Sequence, residues 1–387
     1  MSESKRPKII RTATVPMSLD LFCRGLLRAF SKEYEMIALS SPLPELEVIG
    51  KREGVRTIAV PMKRKIAPLS DLVSLFRLIR VFRKEKPDMV HSITPKAGLL
   101  SMMAARAAGV PVRVHTFTGL VFPYAERWKY HLLRMTDRIT AGCATHVVPE
   151  GEGVKEDLIR FRITSKPLRV LGKGNIRGID LKYYQYTPAV KKAGGMLRSS
   201  FGVPDDALVF LFVGRFDRDK GLEELIRAFV RLHEEFPATS LLLAGQEEED
   251  GTLPPEEVKQ MAIAHPSIHV SGGWVKDVRP WYAAADAFVH PSYREGFPNV
   301  VIEAGAMNLA SIVTDISGSR EIIIEGVNGM IVPPHDEEAL YRQMKAFVED
   351  RDWVQEMASN ARPSVAERFR KEYVRQCLED YYKEILG

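Results

Sequence analysis

The sequence predicts an α/β protein of two doubly wound domains, each a parallel sheet covered by helices. Three observations predict this. Apolar runs of strand length alternate with helix-length segments from end to end. The alternation restarts after a glycine-rich stretch, Gly172–Asp180 (GKGNIRGID), which reads as a turn or hinge. The 387 residues, 45% of them hydrophobic, suffice for two cores of ordinary size. Ligands of open parallel sheets bind beyond the carboxyl ends of the strands. Two such domains facing across a cleft would suit a reaction between two substrates.

The elements follow in order. Strand-like runs in the first series are Ile9–Thr14, Met36–Ser41, Thr57–Val60, Met89–Thr94, Val112–Phe117, His146–Val148 and Leu168–Leu171. The second series comprises Leu208–Val213, Ser240–Ala244, Ile268–Val270, Ala287–His290, Ser311–Thr314 and Met330–Val332. The tail, Asp336–Leu386, reads as helical and charge-rich. These runs give a first domain over 1–178 and a second over 179–365, with a C-terminal helix over 366–387. No short-period repeat or low-complexity stretch interrupts them.

The net charge of +5 conceals an asymmetry. Residues 1–180 hold 32 Lys and Arg against 17 Asp and Glu, a balance of +15, and the remainder balances at −10. A basic half of this size suggests an anionic partner: a membrane surface, a phosphorylated acceptor or nucleic acid. A plain solubilising surface is the competing reading. The three cysteines, Cys23, Cys143 and Cys377, are widely spaced and have no metal-ligand spacing, which points to a reducing compartment. The polar, basic start has no signal-peptide core, and no run is long enough to span a bilayer. The expected location is the cytoplasm, with room for attachment to the inner face of the cell membrane.

Four segments carry candidate chemistry. In His290–Glu303 (HPSYREGFPNVVIE) a strand enters a loop holding Glu295 and Gly296, and a helix is expected to begin near Pro298. Free N–H groups at Asn299, Val300 and Val301 would form an anion site, and Glu303 would lie one turn on. Paired carboxylates accept hydrogen bonds from sugar or ribose hydroxyls. A surface loop with a dipole-favoured glutamate would look the same. Gly214–Gly221 (GRFDRDKG) sits between an apolar strand and a helix over Leu222–Leu232, the layout of a phosphate cradle. Arg215 and Lys220 supply two cations for a diphosphate. Neither GxxxxGK[ST] nor GxGxxG is present. Asp217 and Asp219 flank Arg218 and make a poor divalent site, so solvated loop charges are expected there and in Glu247–Asp250; no metal is predicted.

The third segment, Val112–Gly119, ends a strand at His115, which either bonds a substrate hydroxyl or is structural. His91 is expected to be packed and hydrogen-bonded. The fourth, Lys63–Lys86, places Leu72, Leu75, Phe76, Ile79 and Phe82 on one helical face and Arg77, Arg80 and Lys84 on another. Such a helix either buries its apolar face on the sheet or lies on an anionic membrane. Arg127–Arg134 mixes aromatic and basic residues more weakly.

Together these segments resemble the retaining glycosyltransferases of family 4, which have the GT-B fold of two Rossmann-like domains. The resemblance spans nearly the whole chain. It is most specific in Gly214–Gly221 and in Ala285–Pro334, including Glu295–Glu303, Gly318–Glu321 and Gly326–Pro334 (GVNGMIVPP). It implies that Glu295 and Glu303 are the pair of the family's E-x7-E motif, holding hydroxyls of the transferred sugar and the donor ribose. It implies backbone contacts from Gly214, Gly296, Phe297, Pro298, Asn299 and Val300 to sugar and diphosphate. Arg215 and Lys220 would stabilise the leaving diphosphate, where charge grows, in place of a metal. Val275, within Gly273–Lys276, would lie near the base, and His115 matches the active-site histidine of the N-terminal domain. The last helix would cross back to the first domain.

Thr14–Leu19, His91–Gly98 and His115–Gly119 further resemble the bacterial subset that extends surface polysaccharides, lipopolysaccharide or lipid-linked oligosaccharides. There Ser18, Lys96 and Thr118 are the acceptor-side candidates. Val15–Ser18 replaces the glycine-rich first loop common in the wider family, so the acceptor cannot be transferred by analogy. The implied donor is a nucleotide sugar, UDP-linked, carrying a hexose or N-acetylhexosamine. The implied acceptor is a glycan or a polyprenyl-diphosphate-linked sugar. A nucleotide-sugar epimerase or hydrolase of the same fold stays open. So does a non-enzymatic nucleotide- or nucleic-acid-binding protein, although no nucleic-acid module is recognisable.

Overall fold

The computed structural model describes residues 6–125, 127–247 and 253–387. The chain divides into two compact units, Met1–Gly178 with Glu372–Gly387, and Ile179–Lys371. Each holds a six-stranded, wholly parallel sheet.

Unit 1 uses β1 (Lys8–Thr12), β2 (Glu35–Ser40), β3 (Arg56–Ala59), β4 (Met89–Ile93), β5 (Val112–Phe117) and β6 (His146–Pro149), in the order β3-β2-β1-β4-β5-β6. Order reverses between β1 and β4, the switch point where doubly wound sheets bind ligands. The sheet is buried on both sides, with Ile10, Val90 and Leu39 in one core and Ile9, Met89 and Val114 in the other. The helix Lys371–Leu386 belongs to this unit: Leu378, Tyr381 and Tyr382 complete the second core. Buried Arg11 and His91 both hydrogen-bond the Tyr382 hydroxyl, at 2.8 and 2.6 Å, so His91 is packed and bonded as its sequence suggests.

Unit 2 uses β7 (Leu208–Val213), β8 (Thr239–Ala244), β9 (Ile268–Val270), β10 (Ala287–His290), β11 (Ala310–Thr314) and β12 (Gly329–Val332), ordered β12-β11-β10-β7-β8-β9. Strands buried on both faces read as unbroken apolar runs, as in LVFLFV of β7. The switch point falls between β7 and β10, so the loops after these two strands, 214–221 and 291–298, emerge side by side.

Three expectations need correction. Leu168–Leu171 is no sheet strand, making one bridge from Leu168 to Val147. It follows Pro167, and its Arg169 turns outward to pair with Glu384 at 2.5 Å. The helix after Glu295 runs Asn299–Ala306 with Pro298 as its N-cap, one position earlier than a first-turn proline. On the helix Pro68–Glu85 the buried side is Ser74, Leu78 and Phe82, while Leu72 and Phe76 stand in solvent. No helix among the described residues is long and apolar enough to cross a membrane. Of the acidic run Glu247–Asp250, all but Glu247 lies outside the described residues.

Candidate functional site

In unit 2 the two switch-point loops are bound together. Arg294 Nε donates to Asp219 Oδ2 at 2.6 Å, and Tyr293 N and Ser292 Oγ donate to the Asp219 carbonyl at 2.8 and 3.1 Å. Asp217 is 7% exposed and lies 3.5 Å from Arg215 Nη1. Of the Asp-Arg-Asp loop expected to be solvated, Asp217 is instead buried beside Arg215, while Asp219, its side chain 37% exposed, pairs with Arg294 and braces the second loop. No group of potential metal ligands occurs among the described residues. Gly221 has φ +66°, and a Cβ there would lie 2.1 Å from the Pro291 carbonyl oxygen, so close loop approach demands glycine. Gly318 (φ +78°) meets the second loop in the same way, 2.5 Å from the Gly296 carbonyl oxygen.

The braces place Glu295 against Lys220, whose ammonium donates to Oε1. His290 Nε2 donates to the same oxygen at 3.0 Å. Burial opposes charge on Glu295, but Lys220 and the His290 bond outweigh it and hold the carboxyl well below its usual range. His290, 1% exposed and stacked against Phe212 and Phe288, is held neutral chiefly by burial. Glu303 is 6% exposed and accepts from the Tyr282 hydroxyl at 3.2 Å. Val301 N donates to the Pro298 carbonyl at 3.1 Å, which removes it from the predicted trio of anion-binding N–H groups. Arg215 is 43% exposed beside Asp217, Phe297 is buried against Phe369, and Val275 packs on the core edge. Gly214 joins the ladder through its N–H to Ala244 O at 3.0 Å.

In unit 1 a cavity of about 340 Å³ opens at the switch point, beyond β1, β4 and β5. It gathers Ser18, Lys96, His115 and Thr118, all singled out from sequence. His115 is 2% exposed, shares a 2.8 Å hydrogen bond between Nδ1 and Ser92 Oγ, and meets Phe117 edge-on. Burial lowers its pKa to about 3, so it acts as a neutral imidazole. Gly98 makes space for the ring: a Cβ there would lie 2.3 Å from Cε1. Lys96 is engaged already, by Asp71 and by the Lys65 carbonyl at 3.0 Å. Thr94, at the cavity edge, has φ +76°, a strained conformation for a β-branched residue.

Sequence reading missed His290 as a carboxylate partner, Tyr282 as the Glu303 donor, the Arg294–Asp219 brace, and Asp137 in the cavity wall. Only His290 had a local signal, standing at a strand end five residues before Glu295.

Two parallel sheets with loops gathered at their switch points define a doubly wound α/β protein, and comparison with known proteins gives its class. A glycosyl transferase 4-like domain matches residues 22–174, and the glycosyl transferases group 1 domain matches residues 207–350. The chain belongs to this glycosyltransferase family and has the GT-B fold. It is 30% identical over 386 residues to the capsular polysaccharide biosynthesis glycosyltransferase CapM of Staphylococcus aureus, covering 99% of this chain and 98% of that one. It is 27% identical to the UDP-Gal:alpha-D-GlcNAc-diphosphoundecaprenol alpha-1,3-galactosyltransferase of Escherichia coli, covering 89% of this chain and 90% of that one. Among solved structures, Anabaena HepE in complex with UDP superposes with a TM-score of 0.80 at 17% identity, over 98% of this chain and 100% of that one.

Proposed function

We propose that the protein is a retaining transferase that moves a hexose or N-acetylhexosamine from a UDP-sugar to a hydroxyl of a lipid-linked or polysaccharide glycan. Unit 2 takes the donor and unit 1 the acceptor. The observation that carries this reading is the Glu295–Lys220–His290 cluster beside the N-terminus of the helix Asn299–Ala306. It offers an ionised carboxylate for sugar hydroxyls, a cation for a diphosphate and backbone N–H groups in one place. Both curated relatives described above are glycosyltransferases, one of them named for a UDP-sugar donor and a diphosphoundecaprenol-linked acceptor.

In the proposed reaction the bond between the sugar's anomeric carbon and the diphosphate oxygen breaks as the acceptor hydroxyl attacks from the same face. The acceptor proton passes to the departing diphosphate. Arg215 and Lys220 meet the charge that grows on that oxygen. Glu295 holds hydroxyls of the transferred sugar, Glu303 a ribose hydroxyl, and Gly214, Gly296 and Phe297–Val300 contribute backbone contacts. Val275 lies beside the base. Neutral His115 donates or accepts one hydrogen bond to a substrate hydroxyl without competing for its proton. Ser18, Lys96 and Thr118 line the acceptor side. The reading needs no metal, because two side-chain cations serve the diphosphate.

An anionic membrane surface is the proposed location of the acceptor. The support is an apolar patch, Ile66, Leu69, Leu72, Val73 and Phe76, exposed beside the basic run Lys63–Lys65.

The test is a panel of nucleotide sugars screened by thermal shift, followed by transfer from the best donor to a short-chain prenyl-diphosphate N-acetylglucosamine. Expected is a disaccharide product with the donor's anomeric configuration, formed equally in EDTA. An epimerised nucleotide sugar, free sugar only, or an inverted product would overturn the reading.

A further inference from the structure

We propose that Asp137 is the acceptor-recognition group of the unit 1 cavity, receiving a hydrogen bond from one hydroxyl of the acceptor sugar; this rests on reading unit 1 as the acceptor side. The cavity falls within the ~300–1,000 Å³ range of small-molecule sites. Most of its polar side chains are already satisfied within the protein. Thr14 and Thr94 share a 2.9 Å hydrogen bond, Thr116 is bonded to His91 at 2.8 Å, and Thr136 donates to the Leu133 carbonyl at 2.7 Å. His115 uses Nδ1 on Ser92, and Lys96 is held by Asp71.

Asp137 is the exception with the most at stake. It sits on the helix Arg127–Cys143, partly buried in the cavity wall, and no described residue hydrogen-bonds or pairs with its carboxyl group. Its carboxyl opens to the cavity, and no donor among the described residues meets it there, which leaves it available to a ligand's hydroxyl. Burial alone pushes it up to about 7. Two other lining side chains are basic, Arg64 and Lys96, and neither is bonded to it. Near neutral pH the group therefore changes readily between a proton-bearing form and an acceptor-only carboxylate.

A sugar hydroxyl supplies the missing partner. It donates to the carboxylate, while Leu133 one turn earlier on the helix, with Phe117 and Val121 of the same lining, gives the ring an apolar wall. Ser18 and Thr118 are the remaining lining hydroxyls with no described hydrogen bond, and they fit further ring hydroxyls. A site that spends a buried carboxylate on one hydroxyl rejects analogues lacking it, because the carboxylate is then left unpaired. Asp137 thus selects among acceptors; donor binding by unit 2 does not involve it.

The experiment compares wild type with Asp137→Asn and Asp137→Ala. The probes are the short-chain prenyl-diphosphate N-acetylglucosamine, its monodeoxy analogues, and UDP. Expected is a tenfold or greater rise in acceptor KM for both variants, with the donor KM and the UDP thermal shift unchanged. One monodeoxy analogue should be a poor acceptor for wild type and should lose no further ground in Asp137→Asn. An acceptor KM within twofold of wild type in either folded variant overturns the proposal. So does an equal loss toward every analogue, the mark of a merely structural role. A wild type that hydrolyses donor but transfers to none of the acceptors refutes the acceptor-side reading itself, and this proposal with it.

Discussion

Replacing Lys220 with methionine should destabilise unit 2 far more than replacing Lys220 and Glu295 together. The Glu295 side chain is 18% exposed and that of Lys220 is 12% exposed. Without the ammonium, the carboxylate keeps only the His290 Nε2 donor. Breaking a buried pair on one side costs about 3–5 kcal/mol, whereas exchanging both members for neutral groups of similar shape costs little. Lys220→Met should therefore lose about 3 kcal/mol and Lys220→Met/Glu295→Gln no more than about 1 kcal/mol, leaving the double variant about 2 kcal/mol more stable than Lys220→Met alone. The sign with pH follows from the lowered Glu295 pKa. The unfolded chain takes up its proton near the ordinary 4.5, and the folded one lower. The stability from the pair is thus complete above about 4.5 and declines as pH falls toward the folded value. The gap between wild type and Lys220→Met should be full at pH 7 and narrow below that point. Urea unfolding followed by tryptophan fluorescence measures it, since Trp274, Trp281 and Trp353 lie in unit 2 and only Trp128 in unit 1. UDP-sugar binding should fail in both variants, separating function from folding. A double variant as unstable as the sum of its singles would refute the reasoning.

Asp137 carries the opposite linkage. Its folded pKa of about 7 exceeds the ordinary 3.8, so this group's contribution to stability is fullest below 3.8, is lost as pH rises to about 7, and is level above. Asp137→Asn should then be more stable than wild type at pH 8 and no more stable at pH 3.5 in the same urea assay, and an equal gain at both would refute it. Gly221→Ala should force the two switch-point loops of unit 2 apart, because its Cβ cannot coexist with the Pro291 carbonyl. UDP thermal shift should fall while unit 1 fluorescence unfolding holds. Leu72→Ser/Phe76→Ser should reduce co-sedimentation with anionic vesicles at low salt without changing turnover of a soluble acceptor; undiminished sedimentation would remove that patch from the membrane reading.

The sheets were legible because burial on both faces leaves unbroken apolar runs, and those runs mark the strand ends where ligands bind. The same signal misled at Leu168–Leu171, where four consecutive residues mimic a strand but only one neighbour is there to pair with. Glu295, Lys220 and His115 were legible because each stands at a strand end or in a loop after one. Their partners were not. Arg294 and Asp219 are 75 residues apart, and Tyr282 and Glu303 are 21 apart. Nothing in a local window distinguishes an arginine that braces a loop from one in solvent.

Asp137 is the sharper case. Between Arg134 and Arg138 on a helix, an aspartate reads as one more solvated charge. Yet those two arginines turn away, donating to the carbonyls of Phe161 and Arg162. What singles out Asp137 is therefore the loss of the neighbours its sequence promises. The carboxylate of Glu295 is the reverse, gaining a cation from a loop 75 residues away. One carboxyl is fixed as an anion before any ligand arrives, and the other is left to be completed by one. A preset anion suits a donor whose hydroxyls and diphosphate must be aligned before the bond breaks. An unsatisfied carboxyl suits discrimination, since only the right hydroxyl relieves its cost.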